Sequence, residues 1–576
     1  MNDKNLPSAN RRWVLGLAVC VIFLMNGQSL FAQGDPLVWF GKIDAGVMEL
    51  RVKFVIELNE GELSGEMFSL DQDNAAIPVD SVDLNGDQIE ISVQKIGSSF
   101  KGKLNDDRTV AEGTWTQAGN DLPLTLKKVD EVPEEEEPTS VWRGELDVTV
   151  AKLELQLRVL ENDKALFDSL TQGANGIKAS IELDETTMSF KVPAAAGSYE
   201  GKLNEDGTVV TGTWSQGGQE YPLEMTKVES AIDKIDVNRP QHPKAPYPYR
   251  EEFVKVKNPK ADCALAGTLT LPKEEGKYPG VVLISGSGPQ DRDESLLGHK
   301  PFLVIADHLT RHGIAVLRFD DRGIGESTGD FGAATSLDFA SDVSHLVKFL
   351  SKHNEIDPDR IGLIGHSEGG LIAPMVASKL PGKLAHVVLL SGPGVDGAAI
   401  LESQWRAMSE AMGEATPEET EKRTDAMKVA QGMKVVQAIK DGVAEEEVEK
   451  LIKELADAEE DDAAANALSA GLDTMTTPWF RYFIKYDPIP ALKKTTCPVL
   501  ALNGEKDLQV LVDLNLPAIE QALKESGNDD FRCVEMPGLN HLFQECKTGS
   551  VLEYQSIEET FSRKALDEIS DWVLKH

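Results

Sequence analysis

The chain has 576 residues, too many for one ordinary domain, and 41% of them are hydrophobic, enough for more than one core. Its formal net charge of −38 argues against nucleic acid and anionic membrane surfaces as partners. Four of the five cysteines lie beyond residue 250 without the spacing of a metal site, so no metal is expected. A disulfide is permitted but not indicated.

The N-terminus has the pattern of a secretory signal. Arg11 and Arg12 precede an apolar run over residues 13–25, which is short for a membrane span of about 20 residues. We expect a signal peptide over residues 1–33, cleaved near Ala32, and therefore a periplasmic, cell-surface or secreted protein. A retained anchor is the alternative. If the signal is cleaved, no stable membrane insertion is expected.

An internal repeat follows, with one copy over residues 36–129 and a second over residues 139–229. The triplet Gly-Thr-Trp at 113–115 recurs at 212–214. Each copy alternates apolar and polar residues between Asn-Gly or Asp-Gly turns, which predicts short antiparallel strands that close into a small barrel or sandwich. The tryptophan of each triplet could stack on sugars, but its position within a strand favours a core role.

A Pro-rich connector over residues 230–250 is expected to act as a semi-rigid spacer. Over residues 251–576, continuous apolar strands alternate with helical patterns, which predicts a mostly parallel sheet covered by helices on both faces. An insertion over about residues 396–485, rich in Ala, Glu, Lys and Met, predicts a helical cap.

The sequence GHSEG at 365–369 predicts a nucleophile on a sharp turn. It lies between an apolar strand-like run at 360–364 and a helix-like run at 370–380, the context of a nucleophile elbow. Its glycines permit a tight turn and leave Ser367 accessible.

Two further residues complete the order Ser, acid, His. Asp507 follows a predicted strand at 497–502, and His541 follows another at 531–536. We predict that His541 accepts the Ser367 proton, while Asp507 orients and stabilises the imidazolium. Each residue alone has an ordinary structural explanation: a turn serine, a helix-capping aspartate and a loop histidine.

The oxyanion hole is expected in the loop that follows the predicted strand at 281–284. The backbone N–H groups of Ser287 and Glu368 are the expected donors. The alternative is a flexible Gly/Ser loop without a catalytic role. Asp291, Arg292 and Asp293 in this loop either form a local ion pair or line the site.

Residues 250–576 resemble an α/β-hydrolase of the bacterial serine esterase and serine aminopeptidase-like group. The matching stretches are SGSGPQDRDE at 285–294, FDDRGIGES at 319–327, GHSEGG at 365–370, WFRYFIKYDP at 479–488, 503–507 and 540–541. The resemblance implies the triad Ser367, Asp507 and His541, and small β modules before the hydrolase domain. Ser285-Gly286 departs from the commoner His-Gly, which bears on the assignment of Ser287.

The sequence therefore predicts an exported serine hydrolase that cleaves small or medium acyl esters through an acyl-enzyme, without metal or organic cofactor. One alternative is a peptidase, aminopeptidase or amidase with the same triad, in which Glu368, Asp291 or Asp293 would anchor a substrate ammonium group. Another is a protein whose β modules bind a polymer or surface, with incidental hydrolysis. The oligomeric state is left open.

Overall fold

The computed structural model describes residues 36–44, 49–59, 62–71, 76–93, 96–117, 120–133, 136–148, 152–172, 174–195, 197–216, 219–232, 237–411, 424–457 and 474–576. The predicted signal peptide lies outside these residues. The chain divides into two compact units, Met1–Glu137 and Pro138–His576. Among the described residues, no helix is both long and apolar enough to cross a bilayer.

The first unit is an antiparallel nine-stranded sheet in the order β4-β3-β2-β1-β9-β8-β7-β6-β5. Its strands are β1 Leu37–Asp44, β2 Glu49–Asn59, β3 Glu62–Ser69, β4 Ile77–Val79, β5 Ser81–Asn85, β6 Gln88–Val93, β7 Ser98–Leu104, β8 Val110–Gln117 and β9 Asn120–Val129. Trp39, Phe54 and Trp115 lie in its core. Trp115 is fully buried, which confirms its predicted core role and removes it as a sugar-stacking residue.

The second unit begins with a closed, antiparallel eight-stranded barrel. Its strands are β10 Ser140–Asp147, β11 Lys152–Val159, β12 Lys164–Ser169, β13 Ala174–Leu183, β14 Thr187–Val192, β15 Gly197–Leu203, β16 Val209–Gln216 and β17 Gln219–Val228. Trp142, Tyr199 and Trp214 fill the interior, and Trp214 stacks on Phe167 with ring centroids 5.4 Å apart. The interior is therefore packed with side chains, as eight strands allow.

The repeat is visible in the strand register. Gly102 pairs with Gly113 in the first sheet, and Gly201 pairs with Gly212 in the barrel. A Cβ atom at Gly113 or at Gly212 would lie 2.1 Å from a carbonyl oxygen of the neighbouring strand. The repeated glycines thus allow a close backbone approach that a side chain would prevent.

The rest of the second unit contains an eight-stranded sheet in the order β18-β19-β21-β20-β22-β23-β24-β25. The strands are β18 Arg250–Asn258, β19 Cys263–Leu271, β20 Tyr278–Ile284, β21 Ala315–Phe319, β22 Ile356–His366, β23 His386–Leu390, β24 Val499–Gly504 and β25 Phe531–Met536. β19 is antiparallel to both of its neighbours, β18 and β21, and all pairings from β21 to β25 are parallel. This confirms the α/β-hydrolase fold. The first edge strand, β18, was not predicted because it is largely polar.

Helices cover both faces of this sheet. They are α1 Pro301–Arg311, α2 Ser336–Leu350, α3 Glu368–Lys379, α4 Gly397–Ala411, α5 Thr424–Lys440, α6 Glu445–Ala456, α7 Pro478–Lys485, α8 Ile489–Leu492, α9 Val512–Glu525 and α10 Arg563–Lys575. Along β20, Val282 and Ile284 belong to the core with α2, α3 and α9, whereas Val281 and Leu283 face α1 and α10. Helices α4 to α7 form the predicted insertion, here called the cap.

The Pro-rich connector is held against the hydrolase domain and is not a free spacer. The Arg239 guanidinium donates to the carbonyl of Gln555 at 2.6 Å, and the Gln241 amide donates to the carbonyl of Phe561 at 2.7 Å. Carbonyl groups in loops of the hydrolase domain accept hydrogen bonds from these two side chains, which composition alone does not predict.

Candidate active site

The sheet brings the predicted site residues to one edge, because parallel strands end at the same level. Ile284 at the end of β20 pairs with Gly365 of β22, and the next pair across is His366 with Leu390. The loops after β20, β22, β24 and β25 carry Ser287, Ser367, Asp507 and His541 respectively. This is the carboxyl edge at which α/β sheets bind ligands.

Ser367 lies on the sharp turn between β22 and α3. Its φ of 52° and ψ of −117° are sparsely populated for a residue with a Cβ atom. The turn is held because the Ser367 amide donates to the carbonyl of Leu390 at 2.8 Å, and the Gly370 amide donates to the carbonyl of Ser367 at 2.8 Å. The side chain is half-buried. The strained turn therefore lifts Ser367 out of the strand and helix that flank it.

The glycines on either side of Ser367 are needed because backbone atoms lie too close to admit a side chain. A Cβ atom at Gly365 would lie 2.0 Å from the carbonyl oxygen of Gly369, and one at Gly369 would lie 2.1 Å from that of Ile284. Because these neighbours are backbone atoms, they cannot move aside cheaply.

Asp507 and His541 are in direct contact, with His541 Nδ1 2.8 Å from Asp507 Oδ2. Asn503 Nδ2 also donates to Oδ2 at 3.3 Å, and the amides of Gln509 and Val510 donate to Oδ1 at 2.8 and 2.9 Å. Burial favours the neutral acid, but His541 and the Val510 amide hold the pKa of Asp507 below its usual value. An ionised Asp507 fixes Nδ1 of His541, so Nε2 is the nitrogen that can face a nucleophile.

The loop after β25, which carries the predicted base His541 and is here called the base loop, also contacts the elbow. The ring centroids of His366 and His541 are 4.9 Å apart, and His366 Nε2 lies 3.0 Å from the carbonyl oxygen of His541. Ser367 follows His366 directly, so the structure places all three predicted triad residues together. Their catalytic roles stay a prediction.

The predicted oxyanion donors are linked through their side chains. Glu368 is the first residue of α3, so its amide has no acceptor within the helix. Its buried carboxylate accepts from Ser336 Oγ at 2.6 Å and from the indole of Trp479 at 2.8 Å, and the Ser287 side chain also bonds to it. Burial raises the pKa of Glu368, although these donors oppose the shift.

The loop after β20, residues 285–300, is here called the oxyanion loop. It begins with Ser285 at the position where the commoner pattern has histidine, and this serine has a specific partner. Ser285 Oγ is 3.1 Å from Asp321 Oδ1, and the Gln290 amide donates to Oδ2 of the same carboxylate at 3.1 Å. Burial holds the pKa of Asp321 well above its usual range. The departure from the His-Gly pattern thus comes with a buried acid that bonds to the loop at two positions, Ser285 and Gln290.

The charged residues of this loop hold it in place. Arg292 forms a paired contact with Asp320, with distances of 3.0 Å from Nε and 2.6 Å from Nη2. Asp293 bonds to Arg318 and lies 3.3 Å from Lys300 Nζ. The sequence left open whether these residues fix the loop or line the site, and the contacts show that they fix it.

Sequence reasoning missed one contact and two residues of this region. The bond between Trp479 and Glu368 cannot be seen in the sequence, because 111 residues separate the two. Glu294 and His366 lie within the matching stretches, where the sequence indicates no role for them, yet both are buried beside the elbow. Within the described ranges, no group of three His, Cys, Asp or Glu side chains is arranged to hold a metal.

Comparison with known proteins supports the predicted family. Residues 301–545 match the family model described as serine aminopeptidase, S33. Esterase EstD of Thermotoga maritima is 27% identical over 313 residues, which cover 54% of this chain and 66% of EstD. Human acyl-coenzyme A thioesterase 1 is 32% identical over 125 residues, 21% of this chain and 26% of that protein. The chain thus spans less than two thirds of these curated relatives.

Two solved structures are similar over the hydrolase region. Est1E from Butyrivibrio proteoclasticus, with bound ferulic acid, is 16% identical and matches 56% of this chain and 98% of its own, with a TM-score of 0.33. An esterase from Pyrococcus furiosus is 16% identical and matches 59% of this chain and 97% of its own, with a TM-score of 0.35.

Proposed function

Because residues 301–545 match the family model described as serine aminopeptidase, S33, we propose that the protein hydrolyses carboxylic esters through an acyl-enzyme on Ser367. The observation that carries the proposal is the buried contact between Asp507 and His541 beside the strained Ser367 turn. A carboxylate, an imidazole and a serine in this order form the machinery of acyl transfer.

The chemistry follows from these positions. His541 Nε2 accepts the Ser367 proton as Oγ attacks the ester carbonyl, and the amides of Ser287 and Glu368 stabilise the oxyanion that forms. His541 then gives the proton to the leaving alkoxide, which departs as the alcohol. A water molecule, deprotonated by His541, hydrolyses the acyl-enzyme, releases the carboxylic acid and restores Ser367. Asp507 stabilises the imidazolium in both steps.

The proposed substrates are esters of small or medium acyl groups. The cap reaches the elbow through Trp479, whose ring stacks on Phe483 at 5.3 Å while its indole bonds to Glu368. A site closed on one side by an anchored helix favours compact acyl groups over polymeric or long-chain lipid esters.

The contacts of the acidic residues favour an esterase over an aminopeptidase. An aminopeptidase needs a carboxylate that can receive the substrate ammonium group. Glu368 is bonded to neutral donors, Asp293 to Arg318 and Lys300, and Asp291 accepts the amides of Asp293 and Ser295, each at 3.0 Å. The three candidate anchors therefore already have internal partners. EstD, which is similar over 313 residues of this chain, also carries the name esterase.

Export forms a separate part of the proposal. It rests on the two arginines and the apolar run at residues 13–25, and it assigns the protein to the periplasm, the cell surface or the medium. N-terminal sequencing of the protein recovered from each cell fraction tests it. A mature terminus near residue 33 in an extracytoplasmic fraction is expected, and intact protein in the cytoplasm would contradict it.

The enzymatic test compares the wild type with Ser367→Ala on p-nitrophenyl acetate, butyrate and octanoate, beside an aminoacyl p-nitroanilide. We expect ester turnover that Ser367→Ala abolishes, a preference for acetate or butyrate, and little anilide cleavage. Ser378→Ala, at the other end of the same helix α3, is the matched control and should retain activity. Equal ester rates in the wild type and Ser367→Ala would reject the proposal, and a preference for the anilide would favour the peptidase.

A further inference from the structure

A buried ion pair joins the oxyanion loop to the elbow. Glu294 lies in the loop after β20, His366 ends β22, and His366 Nδ1 is 2.9 Å from Glu294 Oε1. Glu294 is 4% exposed and His366 is 6% exposed. The same carboxylate oxygen accepts the Gly286 amide at 2.7 Å. A Cβ atom at Gly286 would lie only 3.3 Å from the Cβ atom of Ser367, so the loop rests directly on the elbow.

The contacts of His366 favour a charged ring. Nδ1 faces the Glu294 side chain, and Nε2 faces the carbonyl oxygen of His541 at 3.0 Å. With Glu294 ionised, both partners are acceptors, and the doubly protonated imidazolium satisfies both. Burial favours the neutral ring, but the charge and hydrogen bond of Glu294 outweigh it and raise the pKa of His366. The Asp507 carboxylate acts in the same direction.

We propose that Glu294 and His366 act as one positioning unit that sets the oxyanion loop and the base loop relative to Ser367; this rests on the proposed acyl-enzyme mechanism. At one end, the carboxylate fixes Gly286, the residue before the predicted oxyanion donor Ser287. At the other end, the imidazolium fixes the main chain of His541. The unit thus spans the two loops whose groups must converge on the same carbonyl carbon.

The charges of the pair depend on each other. Glu294 Oε2 is buried without a hydrogen-bond partner among the residues that the structure describes, so His366 is the main counter-charge of this carboxylate. Removing one partner leaves a buried charge uncompensated, whereas removing both leaves none. The two single replacements should therefore disturb the site through the same unpaired charge. Their reductions of kcat should not multiply in the double variant.

The test is a double-mutant cycle with Glu294→Gln, His366→Asn and the double variant. The values of kcat and KM for p-nitrophenyl butyrate are measured in the full chain, and kcat is normalised to the sites titrated by a fluorophosphonate. Each single variant should lower kcat by about 10–100-fold and change KM by less than about 2-fold, because displaced groups act on the transition state. The kcat of the double variant should be no more than about 3-fold below that of the less active single variant.

Two further variants separate positioning from general destabilisation. Glu294→Asp keeps the charge and should retain more kcat than Glu294→Gln. Asp168→Asn breaks the buried pair that Asp168 forms with Arg158 in the barrel, at 2.9 Å, and should lower the melting temperature without changing kcat per titrated site. Single variants that keep full kcat, multiplicative losses in the double variant, or a kcat loss in Asp168→Asn equal to that in Glu294→Gln would each overturn the inference. An inactive wild type would instead reject the proposed function itself.

Discussion

The indole of Trp479 in the cap donates a hydrogen bond at 2.8 Å to the carboxylate of Glu368, the residue that follows the predicted nucleophile. The same carboxylate accepts from Ser336 at the start of α2 and bonds to Ser287 of the oxyanion loop. One buried side chain therefore links the cap, a sheet-covering helix and both predicted oxyanion donors.

Replacing Trp479 by Phe should weaken the attachment of the cap while an aromatic ring still fills the position of the indole. The ring stack on Phe483 is kept, but Glu368 loses one donor, a loss of about 1–3 kcal/mol for a buried charged acceptor. The free energy of unfolding should fall by that amount, and KM for p-nitrophenyl butyrate should rise. Trp572→Phe is the matched control, because Trp572 Nε1 has no hydrogen-bond partner among the described residues. Equal losses in both variants would contradict the role of the bond.

Glu368→Gln should change how stability depends on pH. The folded-state pKa of Glu368 is raised, so the folded protein binds this proton more tightly than the unfolded chain. Its contribution is fully present below the unfolded pKa and is lost as pH rises through the folded pKa, at up to about 1.4 kcal/mol per pH unit.

Urea unfolding between pH 4 and pH 8 measures this difference. The wild type should lose stability over that range, and Glu368→Gln, which keeps an acceptor without the titration, should lose less. Glu402→Gln, an exposed carboxylate on the cap, serves as the control and should follow the wild type. Parallel curves for Glu368→Gln and the wild type would contradict the raised pKa.

Asp507→Asn should reduce kcat by about 10⁴-fold with a small change in KM. Asn lacks the negative charge that stabilises the His541 imidazolium. Its side-chain N–H can also point at His541 Nδ1, where an acceptor for the Nδ1–H group is needed. Steady-state kinetics on p-nitrophenyl butyrate check this. Asp513→Asn, an exposed position in the first turn of α9, should stay within about 2-fold of the wild type. A loss of less than about 10-fold in Asp507→Asn would argue against its role in the triad.

Gly369→Ala should damage both folding and turnover. The added methyl group would lie 2.1 Å from the Ile284 carbonyl, so β20 and the elbow must separate, at a cost above about 4 kcal/mol. Gly332→Ala is the control, since its Cβ atom would meet only a side-chain oxygen of Asp330 at 3.5 Å. Thermal unfolding and ester hydrolysis are compared. Similar melting temperatures for the two variants would show that the elbow tolerates a side chain.

The two β modules should differ in their importance for the hydrolase. The barrel belongs to the same compact unit, and Gln555 Nε2 of the 3₁₀ turn Val551–Ser556 donates to the barrel carbonyl of Leu170 at 3.2 Å. In that turn, the Tyr554 hydroxyl accepts from Gln509 Nε2 at 3.1 Å, two residues from Asp507. A chain of residues 138–576 should keep its melting temperature and kcat.

A shorter chain of residues 237–576 should lose at least about 1–2 kcal/mol of stability, because the face that holds the barrel becomes exposed. Calorimetry of the two shortened chains measures the difference. Equal stabilities would show that the barrel is an independent appendage.

The elbow could be predicted from the sequence because its signal is local. Gly365, Ser367 and Gly369 are fixed by one turn that needs small flanking residues, and the apolar run before it becomes β22 as expected. The repeat was equally visible, since Gly102–Gly113 and Gly201–Gly212 occupy the same register in both modules. By contrast, β18 was missed, because an edge strand carries polar residues on its open face.

Periodicity and turn chemistry are short-range properties, so they sufficed to predict the repeat, most strands and helices of the hydrolase domain, and the serine, aspartate and histidine that follow strand ends. Which of these residues are in contact became known only from the assembled fold. The pairs Glu294–His366 and Trp479–Glu368 join positions 72 and 111 residues apart. Such contacts depend on which parallel strands become neighbours and on which buried charges must find partners, and both are settled only when the whole sheet is assembled.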